Sequence, residues 1–333
     1  MSPRPRTAGA SDIERRGRPS VSPTPGHDAM MLFPPIRIEA RLFAELPDEL
    51  TSPRVTAWSR AHFPGRALGS FLEGPDFDRD GTLFVVDIPN GRIFRVSPAG
   101  VFTLVVQYEG WPNGLKVMPD GKLLVADHRL GLVEIDPGSG RVDLRIEGYR
   151  GEHFRGLNDL SLAPDGTVYF TDQGQTGLQE PAGAVYRWEA ASGRLTRLLA
   201  GVPSPNGLVV NREGTHLFVA VTRANAVWRL PFVADGGVSK VGVFLNLSGG
   251  GGPDGMTVDA EGGLVVAQPG IGVLRFDAFG LLTHFIDGGP GASLSNIVFH
   301  RSGDNRLLIT DSGRGRILVA DMPFPGWRHG GDR

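Results

Sequence analysis

The 333-residue sequence contains no cysteine. That absence excludes a disulfide framework, a thiolate nucleophile and any zinc site built from thiolates. An excess of positive charge is also missing, because 34 basic residues stand against 36 acidic ones and the formal net charge is −2. Duplex nucleic acid binds broad basic surfaces, so nucleic acid is not an expected partner.

Long apolar runs are absent too, and none approaches the roughly 18 residues that indicate a membrane span. Residues 1–29 mix Pro, Arg, Ser and Gly with almost nothing to bury, which predicts a disordered N-terminal tail. This tail has no apolar segment of the secretory type, so the expected location is the cytoplasm. We expect no membrane partner, and a monomer or weak homo-oligomer.

What the sequence does contain is a repeat that begins near Leu72. Each unit has a short apolar strand, an acidic-Gly turn, a second strand such as TLFVVD or TVYFTD, and then a third strand such as RIFRVSP. Acidic-Gly dipeptides between such runs indicate hairpins. The turns are Asp80-Gly81, Asp120-Gly121, Asp165-Gly166, Glu213-Gly214 and Glu261-Gly262, with Ser302-Gly303 as a weaker sixth.

All-β units that recur every forty to fifty residues are typical of propellers. The sequence therefore predicts an all-β, six-bladed β-propeller that forms a single domain over residues 30–333. The fourth strand of each blade is faint, and residues before Leu72 are expected to supply the strand that closes the ring. A short helical turn is expected in LFAELPDEL.

One polar position recurs eight residues before the turn glycines. It holds Glu73, Asn113, Asn158, Asn206 and Asp254, whereas Ser295 and Asn296 share this place in the sixth unit. Inner strands of a propeller line its channel, so these side chains are expected to form a ring. Two carboxylates among amide oxygens suit one hard divalent cation such as calcium.

The alternative interpretation is that these residues only shape loops, since Asn-Gly and Asp-Gly are ordinary turn dipeptides. This interpretation explains poorly why Glu73, which is not a favoured turn residue, occupies the same register. It explains equally poorly why Asn158, which is followed by Asp and not by Gly, occupies it too. We therefore favour the metal site.

At these residues the sequence resembles the gluconolactonase family, which includes regucalcin. The similarity runs from FLEGPDFDRDGTLFVVD through GLNDLSLAPDGTVYFTD, SPNGLVV and PDGMTVDAEGGLVVA to LSNIVFH and LLITDSGRGRIL. Diisopropyl fluorophosphatase and the drug-responsive lactonases look like more distant relatives. The resemblance implies a six-bladed propeller with one divalent ion near its axis, calcium most of all, although Mg²⁺, Mn²⁺, Zn²⁺ or Fe²⁺ also suit oxygen ligands.

The same resemblance implies that Glu73, Asn206 and Asp254 bind the metal, and that Asn158 is a ligand or a substrate contact. Family members related to regucalcin carry an Arg two residues before this Asn, where the present chain has Gly156 preceded by Arg155. A sugar lactone is thereby less strongly indicated. Asn113, Arg155, Asn158 and Trp111 are the expected substrate contacts.

These observations predict a hydrolase that opens a lactone by metal-activated water, with Asp254 as the general base or, as the alternative, a covalent nucleophile. Two alternatives remain: an organophosphate or ester hydrolase that uses the same ion, and a non-catalytic propeller that binds metal as a scaffold. The histidines show no spacing typical of a metal site. His128 and His300 are expected to be surface or partly buried, and His153 to be a possible pocket contact.

Overall fold

The computed structural model of the protein describes residues 34–327. The predicted tail over 1–29 and the first residues of the predicted domain, 30–33, lie outside this range. Secondary structure is almost entirely β, with one short α-helix among the described residues. No helix in this part of the chain is long and apolar enough to cross a membrane.

Two strands and a short helical segment precede the repeat. They are β1 (Ile36–Glu39), β2 (Arg41–Glu45), a 3₁₀ turn (Asp48–Leu50) and α1 (Ala57–His62). The predicted helical turn in LFAELPDEL is thus a strand followed by a single 3₁₀ turn. Helix α1 begins with a capping box, in which the side chains of Thr56 and Ser59 each accept the other's backbone N–H.

Six sheets follow in chain order, and each is one blade. The first blade consists of β3 (Leu72–Phe77), β4 (Leu83–Asp87), β5 (Arg92–Val96) and β6 (Phe102–Gln107), and the second of β7 (Pro112–Val117), β8 (Leu123–Asp127), β9 (Gly131–Ile135) and β10 (Val142–Ile146). A small hairpin follows, formed by β11 (Gly148–Tyr149) and β12 (Glu152–His153). The third blade consists of β13 (Leu157–Leu162), β14 (Thr167–Asp172), β15 (Gly183–Glu189) and β16 (Arg194–Val202). The last three are β17 (Pro205–Val210), β18 (His216–Val221), β19 (Ala226–Pro231) and β20 (Gly242–Asn246); β21 (Met256–Val258), β22 (Leu264–Gln268), β23 (Gly272–Phe276) and β24 (Leu282–Asp287); and β25 (Leu294–Phe299), β26 (Arg306–Asp311) and β27 (Arg316–Asp321).

The inner strands contact one another in a closed cycle. Strand β3 meets β7, then β13, β17, β21 and β25 follow, and β25 meets β3 again. The predicted six-bladed propeller is therefore confirmed.

The sixth blade has only three strands of its own, and β2 supplies the fourth by pairing antiparallel with β27. Strand β1 adds to the fifth blade by pairing parallel with β24. The expectation that residues before Leu72 close the ring is correct, and the same segment also pairs with the fifth blade.

One hydrophobic cluster fills each junction between adjacent blades, including the junction between the sixth and the first. Phe94 and Phe170 are the largest side chains that are fully buried. The central strands are buried on both faces, which explains continuous apolar runs such as LLVA (123–126) in place of strict alternation. Burial of each such side chain contributes about 1.5–3 kcal/mol, so every junction helps to hold the inner strands in place.

Candidate active site

A cavity of about 1090 Å³ lies where the inner strands begin. All five residues of the recurring polar position line it: Glu73, Asn113, Asn158, Asn206 and Asp254. The structure therefore brings together side chains from five blades that the sequence separates by up to 181 positions, from residue 73 to residue 254. We call these five residues the floor of the cavity.

Irregular strand pairing presents the floor residues to the cavity. In the inner strands β7, β13, β17 and β25 the ladder to the second strand skips one or two residues at this position. The skipped residues include Asn113, Asn158 and Asn206. Such bulges re-aim side chains that a regular ladder would hold within the sheet. The backbone carbonyl of Asn206 instead accepts a hydrogen bond of 2.8 Å from the Thr171 hydroxyl of the preceding blade.

The glycine after Asn206 has a packing role and does not form a turn. A Cβ atom on Gly207 would lie 2.3 Å from the carbonyl oxygen of Asp254 in the next blade. Two inner strands thus approach one another too closely for any side chain at this position. The Asn-Gly pair, which alone would suggest a loop, is part of strand β17.

Aspartates at the ends of second strands hold the segments that lead to the floor. The carboxylate of Asp87 accepts the backbone N–H of Phe71 at 2.8 Å, and that of Asp311 accepts the N–H of Ser293 at 2.9 Å. Asp172 accepts the N–H of Arg155 at 3.0 Å. These bonds fix the chain two or three residues before Glu73, Asn158 and Asn296.

Glu73 is a buried carboxylate at the centre of a hydrogen-bond network. Its Oε2 accepts the side-chain N–H of Asn296 at 2.8 Å and the backbone N–H of Gly74 at 3.0 Å. Asn296 also reaches Asp159, at 3.4 Å. Burial raises the pKa of Glu73 to about 7, against the lowering effect of its hydrogen bonds with Ser295, Asn296 and Gly74.

Asp254 is a second carboxylate on the floor whose negative charge is not compensated by a nearby positive one. Removal from water, and then the neighbouring carboxylates of Glu73 and Asp159, raise the pKa of Asp254 well above its usual value, although a hydrogen bond with Asn206 lowers it. Within residues 34–327, neither Glu73 nor Asp254 forms a salt bridge with a basic side chain. A divalent cation would supply the missing countercharge, and the donor set of two carboxylates and amide oxygens fits one.

This donor set depends on amides. No group of three or more His, Cys, Asp or Glu side chains converges as a metal site in the described part of the chain. Asn158 and Asn206 are nearly buried, and both line the cavity beside the two carboxylates. They are the groups that would complete an oxygen-ligand shell.

A second group of polar side chains forms one side of the cavity. His62, at the end of α1, and His128, which follows β8, both line it, and their Nε2 atoms are 3.2 Å apart. The third member is Gln175, whose Nε2 is 2.6 Å from His128 Nε2 and donates to Gln173 Oε1 at 3.1 Å. We call His62, His128 and Gln175 the wall. Burial, and then the charge of His62, lower the pKa of His128 to about 4.

Gly156 provides the room for the wall. Its φ is +141°, and a Cβ atom there would lie 2.6 Å from His128 Nε2 and 2.9 Å from Gln175 Nε2. A larger residue at this position would collide with the imidazole. The departure from the family pattern at Gly156 thus coincides with a histidine that occupies the adjacent space.

Apolar residues complete the cavity: Trp58, Phe63, Leu68, Phe71, Ile88 and Leu178 line it. Trp58 stacks on the ring of His62, with centroids 5.0 Å apart. Trp111 contacts His62 and His128 from behind and is not among the lining residues. The side chain of Arg155 is exposed and does not line the cavity either, and His153 is likewise exposed on β12.

Comparison with known proteins agrees with this architecture. Residues 71–313 match the family described as the SMP-30/Gluconolactonase/LRE-like region. The chain belongs to this family. A curated gluconolactonase from Zymomonas mobilis is 31% identical over 297 residues, which cover 77% of this chain and 82% of that protein. A lactonase, drp35, from Staphylococcus epidermidis is 29% identical over 64% of this chain and 68% of its own length.

Solved structures of the family share the fold. A gluconolactonase from Xanthomonas campestris has a TM-score of 0.69 and 25% identity, covering 85% of this chain and 98% of that one. A calcium-binding regucalcin from Agrobacterium tumefaciens has a TM-score of 0.68 and 24% identity, covering 89% and 100%. The predicted membership of a gluconolactonase-like lactonase family is therefore confirmed.

Sequence reasoning missed most of the wall. His62 lies before the repeat, and His128 was expected to be an ordinary surface or partly buried histidine, although it is only 8% exposed and lines the cavity. Two signals were present in the sequence. A capping pair, Thr56 and Ser59, marks the start of α1, and His128 directly follows the strand-ending Asp127.

Proposed function

We propose that this protein hydrolyses a lactone with the help of one divalent cation, most suitably calcium, held by Glu73, Asn158, Asn206 and Asp254. The observation that carries the proposal is the convergence of two carboxylates and three amides at the floor of one cavity without a basic partner. Family membership supports the reaction class, since relatives carry the names gluconolactonase and lactonase. The calcium-binding regucalcin supports the choice of ion.

The floor residues have different roles in this proposal, which follow from their charge and position. When bound, the cation would polarise the lactone carbonyl and make a bound water more acidic. Asp254, which is partly open to the cavity, is the proposed general base that takes a proton from the attacking water. Glu73 is more deeply buried and is fixed by three hydrogen-bond donors, so its role is to hold the ion.

The amides have a complementary task. Asn113 is half-buried on the inner strand β7 and lines the cavity. We propose that Asn113 and Asn158 contact the substrate and donate hydrogen bonds to the oxyanion that develops as the carbonyl is attacked. Fixed neutral donors suit that role because they do not need to be protonated first.

The lining favours a lactone with an apolar substituent. Six large apolar side chains line the cavity, and Gly156 replaces the Arg that the resemblance to regucalcin would lead one to expect for a sugar lactone. An alkyl-substituted γ- or δ-lactone would bury its chain against Phe63, Phe71 and Leu178. Trp111 would support this surface from behind His62.

The test is the hydrolysis of a panel of lactones by chelator-treated protein, before and after calcium is added. Proton release in a pH-stat measures the rate. The panel includes alkyl lactones, a sugar lactone, an aryl ester and a phosphotriester. Glu73→Gln and Asp254→Asn should abolish the calcium-dependent rate, whereas Glu109→Gln and Asp235→Asn, at exposed positions, should leave it unchanged.

Each outcome decides between functions. Preference for the ester or the phosphotriester would replace the lactone as substrate and keep the site. Stoichiometric calcium binding without turnover of any substrate would overturn the catalytic proposal in favour of a metal-binding scaffold.

A further inference from the structure

The imidazole ring of His62 is held in one orientation on the cavity wall. Its Nδ1 lies 3.0 Å from the backbone carbonyl oxygen of Trp58, one turn earlier on α1. A carbonyl oxygen only accepts, so Nδ1 carries the proton. Trp58 stacks on the ring with centroids 5.0 Å apart, and Trp111 meets it edge to face at 5.7 Å. The neutral ring therefore carries its lone pair on Nε2, at a fixed place.

The hydrogen bonds of the neighbouring His128 are already committed. Its Nδ1 lies 3.2 Å from the backbone carbonyl oxygen of Leu157, so this nitrogen is protonated too. The lone pair on His128 Nε2 accepts a side-chain N–H of Gln175 at 2.6 Å, and the Gln175 amide also donates to Gln173 Oε1 at 3.1 Å. Because both partners are acceptors, the orientation of this amide is settled. His128 thus has no proton to offer to His62.

His62 Nε2 is consequently an acceptor without a donor. Its polar neighbour on the wall is His128 Nε2 at 3.2 Å, and that contact brings two lone pairs together. Within residues 34–327, no N–H or O–H group donates to His62 Nε2. The side chain is half-buried, and the apolar rings of Trp58 and Phe63 line the cavity beside it. An acceptor partly removed from water gains most from a donor that a ligand brings.

The wall adjoins the part of the floor where Asn158 lies. Leu157, whose carbonyl binds His128, directly precedes Asn158 on β13. Gly156 keeps the imidazole in this place, since a Cβ atom there would lie 2.5 Å from His128 Cε1. Floor and wall line one cavity. A substituent on a lactone ring held at the floor would therefore meet His62.

We propose that His62 Nε2 accepts a hydrogen bond from the substrate, and that it selects lactones whose substituent carries an N–H or O–H group. The inference rests on the proposed function and narrows its substrate class. Asn113 and Asn158 donate to oxygens at the reacting carbonyl, whereas His62 receives a donor from the remainder of the molecule. An acylamino or hydroxyalkyl lactone would present this donor and place its apolar chain against Phe63 and Leu178.

Two matched pairs of γ-lactones test the selection. The first pair has an acylamino substituent or the same chain with CH₂ in place of N–H. The second has a hydroxyalkyl substituent or the same chain with methyl in place of the hydroxyl. In saturating calcium, the donor-bearing member of a pair should have a KM lower by roughly threefold to tenfold, as one neutral hydrogen bond contributes. The pair with the larger ratio shows whether the group is N–H or O–H.

His62→Phe removes the acceptor and keeps an aromatic ring beside Trp58. The KM ratio within each pair should then fall to about one, because neither substituent finds a partner. His153→Phe, at an exposed histidine outside the cavity, should keep the ratio of the unaltered protein. Unchanged calcium affinity would show that the floor of the His62 variant is intact. A KM ratio that survives in His62→Phe would assign the selection to another residue and overturn the inference.

Further readouts separate this inference from the proposed function. Long-range ¹H–¹⁵N NMR of the unaltered protein should show His62 with a bare Nε2, and a protonated Nε2 at neutral pH would overturn the inference. Turnover of both pairs with equal KM would also overturn it, while lactone hydrolysis would stand. Absence of all turnover would contradict the proposed function instead. Calorimetric binding of the corresponding γ-lactams would then test His62, and equal affinities within each pair would overturn its role.

Discussion

The floor and the wall of the cavity are built in opposite ways. The floor consists of oxygen donors that occupy the same register in five blades, whereas the wall consists mainly of nitrogen donors from α1 and from two blade ends. The inner strands hold the floor through the six-fold repeat and its closed ring of contacts. The wall lies on segments that the repeat does not constrain.

This contrast suggests how chemistry and selectivity are divided. Changes on the floor alter groups that the whole propeller positions, so they should affect the reaction itself. Changes on the wall alter the groups that contact the remainder of the substrate, and should leave the floor intact. The predictions below test that separation.

The largest effect is expected for Asp254→Asn, because it removes the proposed base and one charge from the cation site. Lactone turnover should fall by about 10²–10⁴-fold, as measured by steady-state kinetics in saturating calcium. Full calcium-dependent turnover by this variant would contradict the proposed role of Asp254 as the base.

Removal of calcium should destabilise the protein. A ligand present at 100 times its Kd stabilises the folded state by about 2.7 kcal/mol, and calcium would also relieve repulsion between Glu73 and Asp254. The thermal midpoint should therefore drop on chelation, and Glu73→Gln should reduce that drop. A midpoint equally sensitive to chelator in this variant would place the stabilising ion elsewhere.

Gly156→Ala should perturb the wall alone. The new methyl group would collide with His128 and Gln175, and the backbone there has a positive φ that side chains disfavour. KM for the preferred lactone should rise by about tenfold, while calcium affinity, measured by calorimetry, stays the same. A matching loss of calcium affinity would contradict the independence of the two regions.

The smallest effect is expected at the apolar rim, for Leu178→Ser. Leu178 is 67% exposed and lines the cavity, so the substitution costs little packing in the free protein. Loss of the Leu178 side chain should raise KM for long-chain lactones by about fivefold, corresponding to about 1 kcal/mol of apolar contact. KM for unsubstituted lactones should not change. Leu144→Ser, at an exposed position on β10, is the control.

The same contrast explains which features could be predicted from sequence. Acidic-Gly turns at regular spacing revealed the blades, and the constant offset from those turns revealed Glu73, Asn158, Asn206 and Asp254 as one group. The blades and the polar group could be recognised because their patterns recur along the sequence. The assignment of ligand and base roles to these residues stays a prediction, as do the proposed contacts of Arg155 and Trp111.

The wall could not be found in this way. His62 and His128 are 66 positions apart and belong to no common motif. Helix α1 has only six residues, too few for a 3.6-residue period to emerge. Only the three-dimensional arrangement, with the two Nε2 atoms 3.2 Å apart, shows that these rings lie side by side.

The closure of the ring by β2 has a consequence for biosynthesis. Arg41 pairs with Val319, so β2 cannot find its partner strand until β27, much later in the chain, has been made. Blades formed earlier can pack against their neighbours while the chain is still on the ribosome, but the junction between the sixth and first blades forms only after β27 has left the ribosome. Until that moment β2 remains an open edge, and a nascent chain interrupted before residue 316 would expose it to other chains.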